Sequence, residues 1–160
     1  GIYFLIYLKK INSKLFMILI ILIFMNLFYN GLWMIRFHPH QYVYFNFIEK
    51  KIIKKKFDLD YWGLSIKSSL EYILKNNKEP EIIKVAGLGN TWIKGTFSIL
   101  DEELKNRLKF VIEEEADFLI DTFRPRIGKR IEIDNLKFSK YHELIIDNNV
   151  VNSVYKRKNK

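Results

Sequence analysis

The sequence contains no cysteine. Disulfides and thiolate metal sites are therefore excluded, and the redox compartment leaves no trace in the composition. Histidine is scarce, with His38, His40 and His142 the only three. His38 and His40 have the H-x-H spacing that would point both imidazoles the same way on an extended chain, where a metal ion could bridge them. No third ligand lies nearby, which favours hydrogen bonding over metal binding. Methionine is missing from position 1, and no charged residue precedes the apolar run Ile2-Tyr3-Phe4-Leu5-Ile6-Tyr7-Leu8. The order of a signal peptide is absent. The run reads as the end of a preceding membrane helix, which makes the chain part of a longer protein.

Charge is also missing from residues 15–35, a stretch of 21 positions. At 1.5 Å per residue a helix of that length spans roughly 30 Å, the thickness of the hydrocarbon core. Leu15 to Met25 is continuously apolar. Asn26 and Asn30, four apart, share a helix face that could hydrogen-bond a neighbouring helix. Tyr29 and Trp33 suit an interfacial aromatic belt. A transmembrane helix is the reading, since core helices seldom lack charge for so long.

What charge there is has a basic excess, 27 Lys and Arg against 18 Asp and Glu, a net +9 at pH 7. That balance suits anionic lipid headgroups, lipid phosphates or nucleic acid. The basic residues are scattered among acids and form no recognised nucleic-acid motif, so no nucleic-acid partner is expected. Lys9, Lys10 and Lys14 make a short basic loop that reads as cytoplasmic. Arg36 and Lys50, Lys51, Lys54, Lys55 and Lys56 lie on the other side of the apolar run, and a literal count favours the reverse orientation.

Residues 36–64 form an aromatic and basic membrane-proximal segment. Phe37, Tyr42, Tyr44, Phe45 and Phe47 precede the lysines, as a chain lying on a headgroup layer requires. Pro39 stops any helix continuing out of the membrane. The same rings would equally serve to pack the foot of a soluble domain. Asp58-Leu59-Asp60 is a D-x-D, two hard carboxylates that could hold a divalent metal on a diphosphate. The tripeptide is short enough to arise by chance. Its alternatives are substrate binding with Tyr61 and Trp62, or structural use, with the carboxylates capping a helix or pairing lysines and Trp62 buried.

Two stretches stand out here: Phe37-His38-Pro39-His40-Gln41-Tyr42-Val43-Tyr44-Phe45-Asn46 and Phe57-Asp58-Leu59-Asp60-Tyr61-Trp62-Gly63-Leu64-Ser65. Together they resemble polytopic membrane glycosyltransferases of the dolichyl-phosphate-mannose protein mannosyltransferase type. In that family a final transmembrane helix runs into an HPYQYVYFN-like and then an FELDYWGLS-like stretch. The sequence departs from that pattern at His40, where an aromatic is expected, and at Asp58, where Glu is expected. Weaker matches follow at Ala116-Asp117-Phe118, at Tyr141-His142-Glu143-Leu144 and at Ser153-Val154-Tyr155-Lys156-Arg157. The resemblance implies an extracytoplasmic, periplasmic tail of an integral membrane enzyme. It also implies that the catalytic carboxylate lies in an early loop outside this chain. Substrate or lipid-headgroup binding then falls to His38, Gln41, Tyr42, Asn46, Asp58, Asp60, Tyr61 and Trp62, with no catalytic residue, metal or cofactor among them. The implied partners are the membrane, the transmembrane part of the same enzyme and a lipid-linked sugar.

Residues 65–160 read as a small α/β soluble domain. Ser65 is a candidate N-cap, and Ile66, Leu70, Ile73 and Leu74 fall on one helical face that ends at Asn76-Asn77 and Pro80. Ile82 to Ala86 is a β-rich run entering the turn Gly87-Leu88-Gly89-Asn90-Thr91-Trp92. Trp92 stands where a dinucleotide fingerprint needs its third glycine, so that function is excluded. Asp101 can cap a helix over 102–108, and strands are expected at 109–112 and 117–123. Segments 141–147 and 150–156 flank Asn148-Asn149, a two-residue hairpin signal. The fold class is α/β: one transmembrane helix, with the remnant of an earlier one, then a small α/β domain ending in a β-hairpin. The functional expectation is the accessory C-terminal part of a glycosyltransferase using a polyprenyl-phosphate donor. The alternative is a stand-alone membrane-anchored α/β binding module.

Overall fold

A computed structural model describes residues 1–44, 52–53, 57–78, 81–89, 91–123, 133 and 137–158. The chain divides into two compact units, Gly1–Gln41 and Tyr42–Lys160. The first is helical: α1 (Ile2–Ile11) and α2 (Ser13–Arg36). Asn12 caps α2, its Oδ1 accepting from the Leu15 amide at 3.0 Å. The 24 residues of α2 are long and apolar enough to cross a membrane, and its most apolar stretch is not buried within the structure. A helix of this kind near the N-terminus suits a membrane span or a signal sequence. Asn30 Nδ2 donates to Asn26 Oδ1 and to the Asn26 carbonyl, both at 2.9 Å. The two amides thus serve each other along one helix face, where the sequence had offered them to a neighbouring helix.

The second unit is α/β, as its sequence indicates. After a 3₁₀ turn at Gln41–Val43 come α3 (Leu64–Asn76), β1 (Ile83–Gly87), α4 (Ile93–Phe97), α5 (Glu102–Lys105), β2 (Leu108–Phe110), β3 (Phe118–Asp121), β4 (Phe138–Ile146) and β5 (Asn149–Arg157). The strands form one sheet in the order β2-β1-β3-β5-β4. β1 pairs parallel with both β2 and β3, and β5 pairs antiparallel with β3 and β4.

Strand alternation sorts the side chains onto two faces. Ile83, Val85, Phe118, Ile120 and Val154 turn to the face covered by Ile66, Leu70, Ile73 and Leu74 of α3. Ala86, Leu119 and Tyr155 turn to the other, with Leu88, Ala116 and Phe138. The helical face read from the 3.6-residue spacing is therefore the face that makes the core.

Several boundaries differ from the sequence reading. α3 starts at Leu64, with Gly63 in the cap position at φ 72°, so Ser65 lies inside the first turn. α5 stops at Lys105, because Leu108 is taken into β2. Asp101 occupies the cap position of α5 without a side-chain bond. The hairpin turns on Asp147-Asn148, at φ 47° and 60°, one residue earlier than expected. Asn149 thereby joins β5, opposite Ile146. β4 lies at one edge of the sheet and slips register against β5 twice, between Lys140 and His142 and between Leu144 and Ile145.

Candidate functional site

The sequence-derived site residues separate into two groups. His38 and Gln41 belong to the helical unit, where they finish α2. Gln41 Nε2 lies 3.2 Å from the Met34 carbonyl and 2.8 Å from His38 Nδ1. A side-chain amide here satisfies one of the carbonyls that a helix C-terminus leaves open. His38 is exposed and His40 is buried. The H-x-H pair is thus divided, because the chain turns at residues 37–39 and does not run extended. Asn46 lies outside the described residues.

Tyr42, Asp58, Asp60, Tyr61 and Trp62 belong to the α/β unit. Asp60 is its hub. The carboxylate is 3% exposed, and Oδ2 accepts from the Ser65 amide at 3.1 Å and from the Ser65 hydroxyl. It thereby caps α3 from outside the helix, one of the structural uses open to it from sequence. Oδ1 is buried without a hydrogen-bond partner among the described residues. The Tyr42 phenol is pushed far above its usual range, by burial first and then by the charge and hydrogen bond of Asp60.

Ser65 extends the network into the sheet. Asn152 Nδ2 donates to the Ser65 carbonyl at 3.1 Å and to Ser65 Oγ at 2.9 Å. Ser69 Oγ donates to Asn152 Oδ1 at 2.8 Å. Asn152 sits on β5 two residues before Val154, so it reaches α3 across the same face as the apolar core. Buried polar groups of this kind are stable only when paired, and each of these three is. Nothing in their spacing announces the network, whose members are ordinary Ser and Asn 83 and 87 residues apart.

Asp58 is exposed while Asp60 is buried and committed to α3. The two carboxylates do not act as a matched pair. Among the described residues no group of three His, Cys, Asp or Glu is placed to hold a metal ion. Tyr61 and Trp62 stack edge to face, centroids 5.1 Å apart, and are 52% and 81% exposed. Burial of Trp62 is therefore corrected. Gly63 in the left-handed region turns the chain into α3, and a Cβ there would stand 2.9 Å from Ile66 Cδ1. The ring before it is left outside.

A second cluster escaped the sequence reading. In open sheets with parallel strands, ligands settle beyond the carboxyl ends of strands whose connections diverge. β1 and β3 are such a pair here, flanked by β2 and β5. Beyond them the Thr122 amide donates to Thr91 Oγ1 at 3.2 Å, and the two threonine hydroxyls are 3.2 Å apart. Asp121 is 5% exposed, and its Oδ1 accepts from the Phe123 amide at 2.7 Å while Phe123 stands at φ 59°. A residue other than glycine in that region is uncommon and marks a locally imposed conformation. Only the turn character of 87–92 was visible in advance.

No family model matches the chain, and neither the curated proteins nor the solved structures contain a match.

Proposed function

We propose that the chain is an accessory extracytoplasmic part of an integral membrane glycosyltransferase that takes its sugar from a polyprenyl-phosphate donor. The chain supplies no catalytic carboxylate of its own. α2 is the membrane span, and the α/β unit contributes to the acceptor or lipid-phosphate side of the site through Tyr42, Asp60, Tyr61 and Trp62.

The observation that supports this most is that the Tyr42 phenol is buried beside the Asp60 carboxylate, whose charge helps to raise its pKa. One residue comes from each of the two stretches that resemble the mannosyltransferase-type family. Those stretches are 10 and 9 residues long and follow the apolar helix in the chain. Residues that make one buried contact are constrained together, which is a physical reason for such stretches to occur as a pair.

The test begins with the genomic frame upstream of the Gly1 codon. Further hydrophobic spans, with an acidic residue in the first extracytoplasmic loop, are the expected result. The encoded protein, reconstituted in vesicles, then transfers sugar from a polyprenyl-phosphate donor. Asp60→Asn lowers that transfer while donor binding persists. A start codon adjacent to Gly1 would remove the enzyme and leave a membrane-anchored binding module.

A further inference from the structure

One end of the α/β unit carries aromatic side chains that its core does not use. Trp62 is 81% exposed, Trp92 72% and Tyr61 52%, with Phe57 at 43% beside them in the chain. Indole and phenol rings are the side chains whose burial stabilises most, so leaving several outside forgoes a large hydrophobic contribution.

The segments that carry the tryptophans are tied together. Thr96 Oγ1 donates to the Gly63 carbonyl at 3.5 Å, which ties the loop carrying Tyr61 and Trp62 to α4. The Trp92 ring lies over Gly95 of the same helix, within 3.3 Å of where a Cβ would stand. Trp62 immediately precedes the linked Gly63, and the Trp92 ring covers Gly95, the neighbour of the linked Thr96. Tyr61 and Trp62 are also held in place by the Asp60 cap on α3, the left-handed turn at Gly63 and their own edge-to-face contact.

The occupant is set by the chemistry around them. Trp and Tyr join an apolar body to a single polar N–H or O–H, the combination favoured at the headgroup boundary of a bilayer. Exposed Lys94 follows Trp92 by two residues. Between the apolar helix and the patch, residues 36–56 hold six basic residues against one acidic residue, Glu49. That excess complements anionic lipid.

We infer that Tyr61, Trp62 and Trp92 insert into the headgroup layer of an anionic bilayer and seat the α/β unit on the membrane surface. The inference rests on α2 being a membrane span, and the experiment separates the two. The full chain is reconstituted in phosphatidylcholine–phosphatidylglycerol vesicles as three single-tryptophan forms. Trp33→Phe with Trp92→Phe leaves Trp62, Trp33→Phe with Trp62→Phe leaves Trp92, and Trp62→Phe with Trp92→Phe leaves Trp33 as the reporter of α2. Trp62 and Trp92 are expected to lose emission to lipids brominated high in the acyl chains and to be shielded from acrylamide. Quenching of both by acrylamide and not by brominated lipid, with Trp33 still lipid-quenched, overturns the inference and leaves the span intact. Shielding of both from either quencher means that protein covers the patch, which also overturns it. Lipid quenching of Trp62 and Trp92 supports the inference whether or not Trp33, only 8% exposed, is quenched with them.

Discussion

Burying the Tyr42 phenol beside the Asp60 carboxylate links the ionisation of one side chain to folding. Its folded-state pKa is raised, so the stabilisation is full below the ordinary tyrosine value of 10.0 and is lost as pH rises above it. In an alkaline titration of tyrosinate absorbance, one tyrosine should therefore ionise only with unfolding, and Tyr42→Phe should remove that late step. At neutral pH the same substitution is expected to cost about 1.5–3 kcal/mol in denaturant unfolding, the range for a hydrogen bond to a charged group. His142 behaves in the opposite sense. It stacks on Tyr72 at 3.7 Å, and burial lowers its pKa from 6.5, an effect that Glu143 partly offsets. A depressed histidine pKa leaves stability intact above about 6.5 and erodes it as pH falls, because the unfolded chain takes the proton first. Unfolding midpoints should thus decline below that pH, and His142→Phe should flatten the decline. Glu143 adds a separate loss at lower pH. Its carboxylate is held below the usual 4.5, mainly by the hydrogen bond from Lys140.

Elements whose signal is local were legible in the sequence. α2 announces itself by uninterrupted apolar composition, and α3 by Ile66, Leu70, Ile73 and Leu74. β1 and β3 show as short β-rich runs. The 4-residue α5 ends three residues before its sequence pattern indicates, because its end is decided by sheet pairing at Leu108. α4 went unseen, since five residues containing Gly95 carry no periodicity. The hairpin shows why a turn is easier to find than to place. Asp147 and Asn148 both tolerate positive φ, which lets Asn149 Nδ2 bond the Asp147 carbonyl at 3.2 Å and start β5. Asn148→Val should lower stability by about 1–2 kcal/mol, the cost of a left-handed conformation for a side chain with a Cβ. Asn148→Gly should be tolerated, and thermal midpoints of the two variants check the contrast. The candidate site was half legible. Aromatic and acidic residues marked the loop before α3, but no pattern pointed to Asn152 or Ser69, because their partners are set by the tertiary fold alone.

At the scale of the molecule, the lack of cysteine turns into an experimental convenience. A single introduced thiol reports topology without background, and Lys75 is exposed near the end of α3. Lys75→Cys in intact cells should react with a membrane-impermeant maleimide if the α/β unit is extracytoplasmic, and only after lysis if it is not. Insertion of α2 is tested separately. Phe24→Arg at its centre should disfavour insertion by about 3 kcal/mol, read in an insertion assay, on the scale that penalises charge at a helix centre. The outer strand carries one more consequence. A domain tethered as proposed diffuses in two dimensions, so copies meet edge-on far more often than they would in bulk water. An outer strand of nine residues, at the sheet's edge among the described residues, offers its backbone groups as a template for polymerisation. The two register slips in β4 break that template into short pieces, and a recruited strand loses pairing at each slip. Protection against lateral fibre growth is therefore written into the backbone of the sheet's last partner, where a change of surface charge does not erase it.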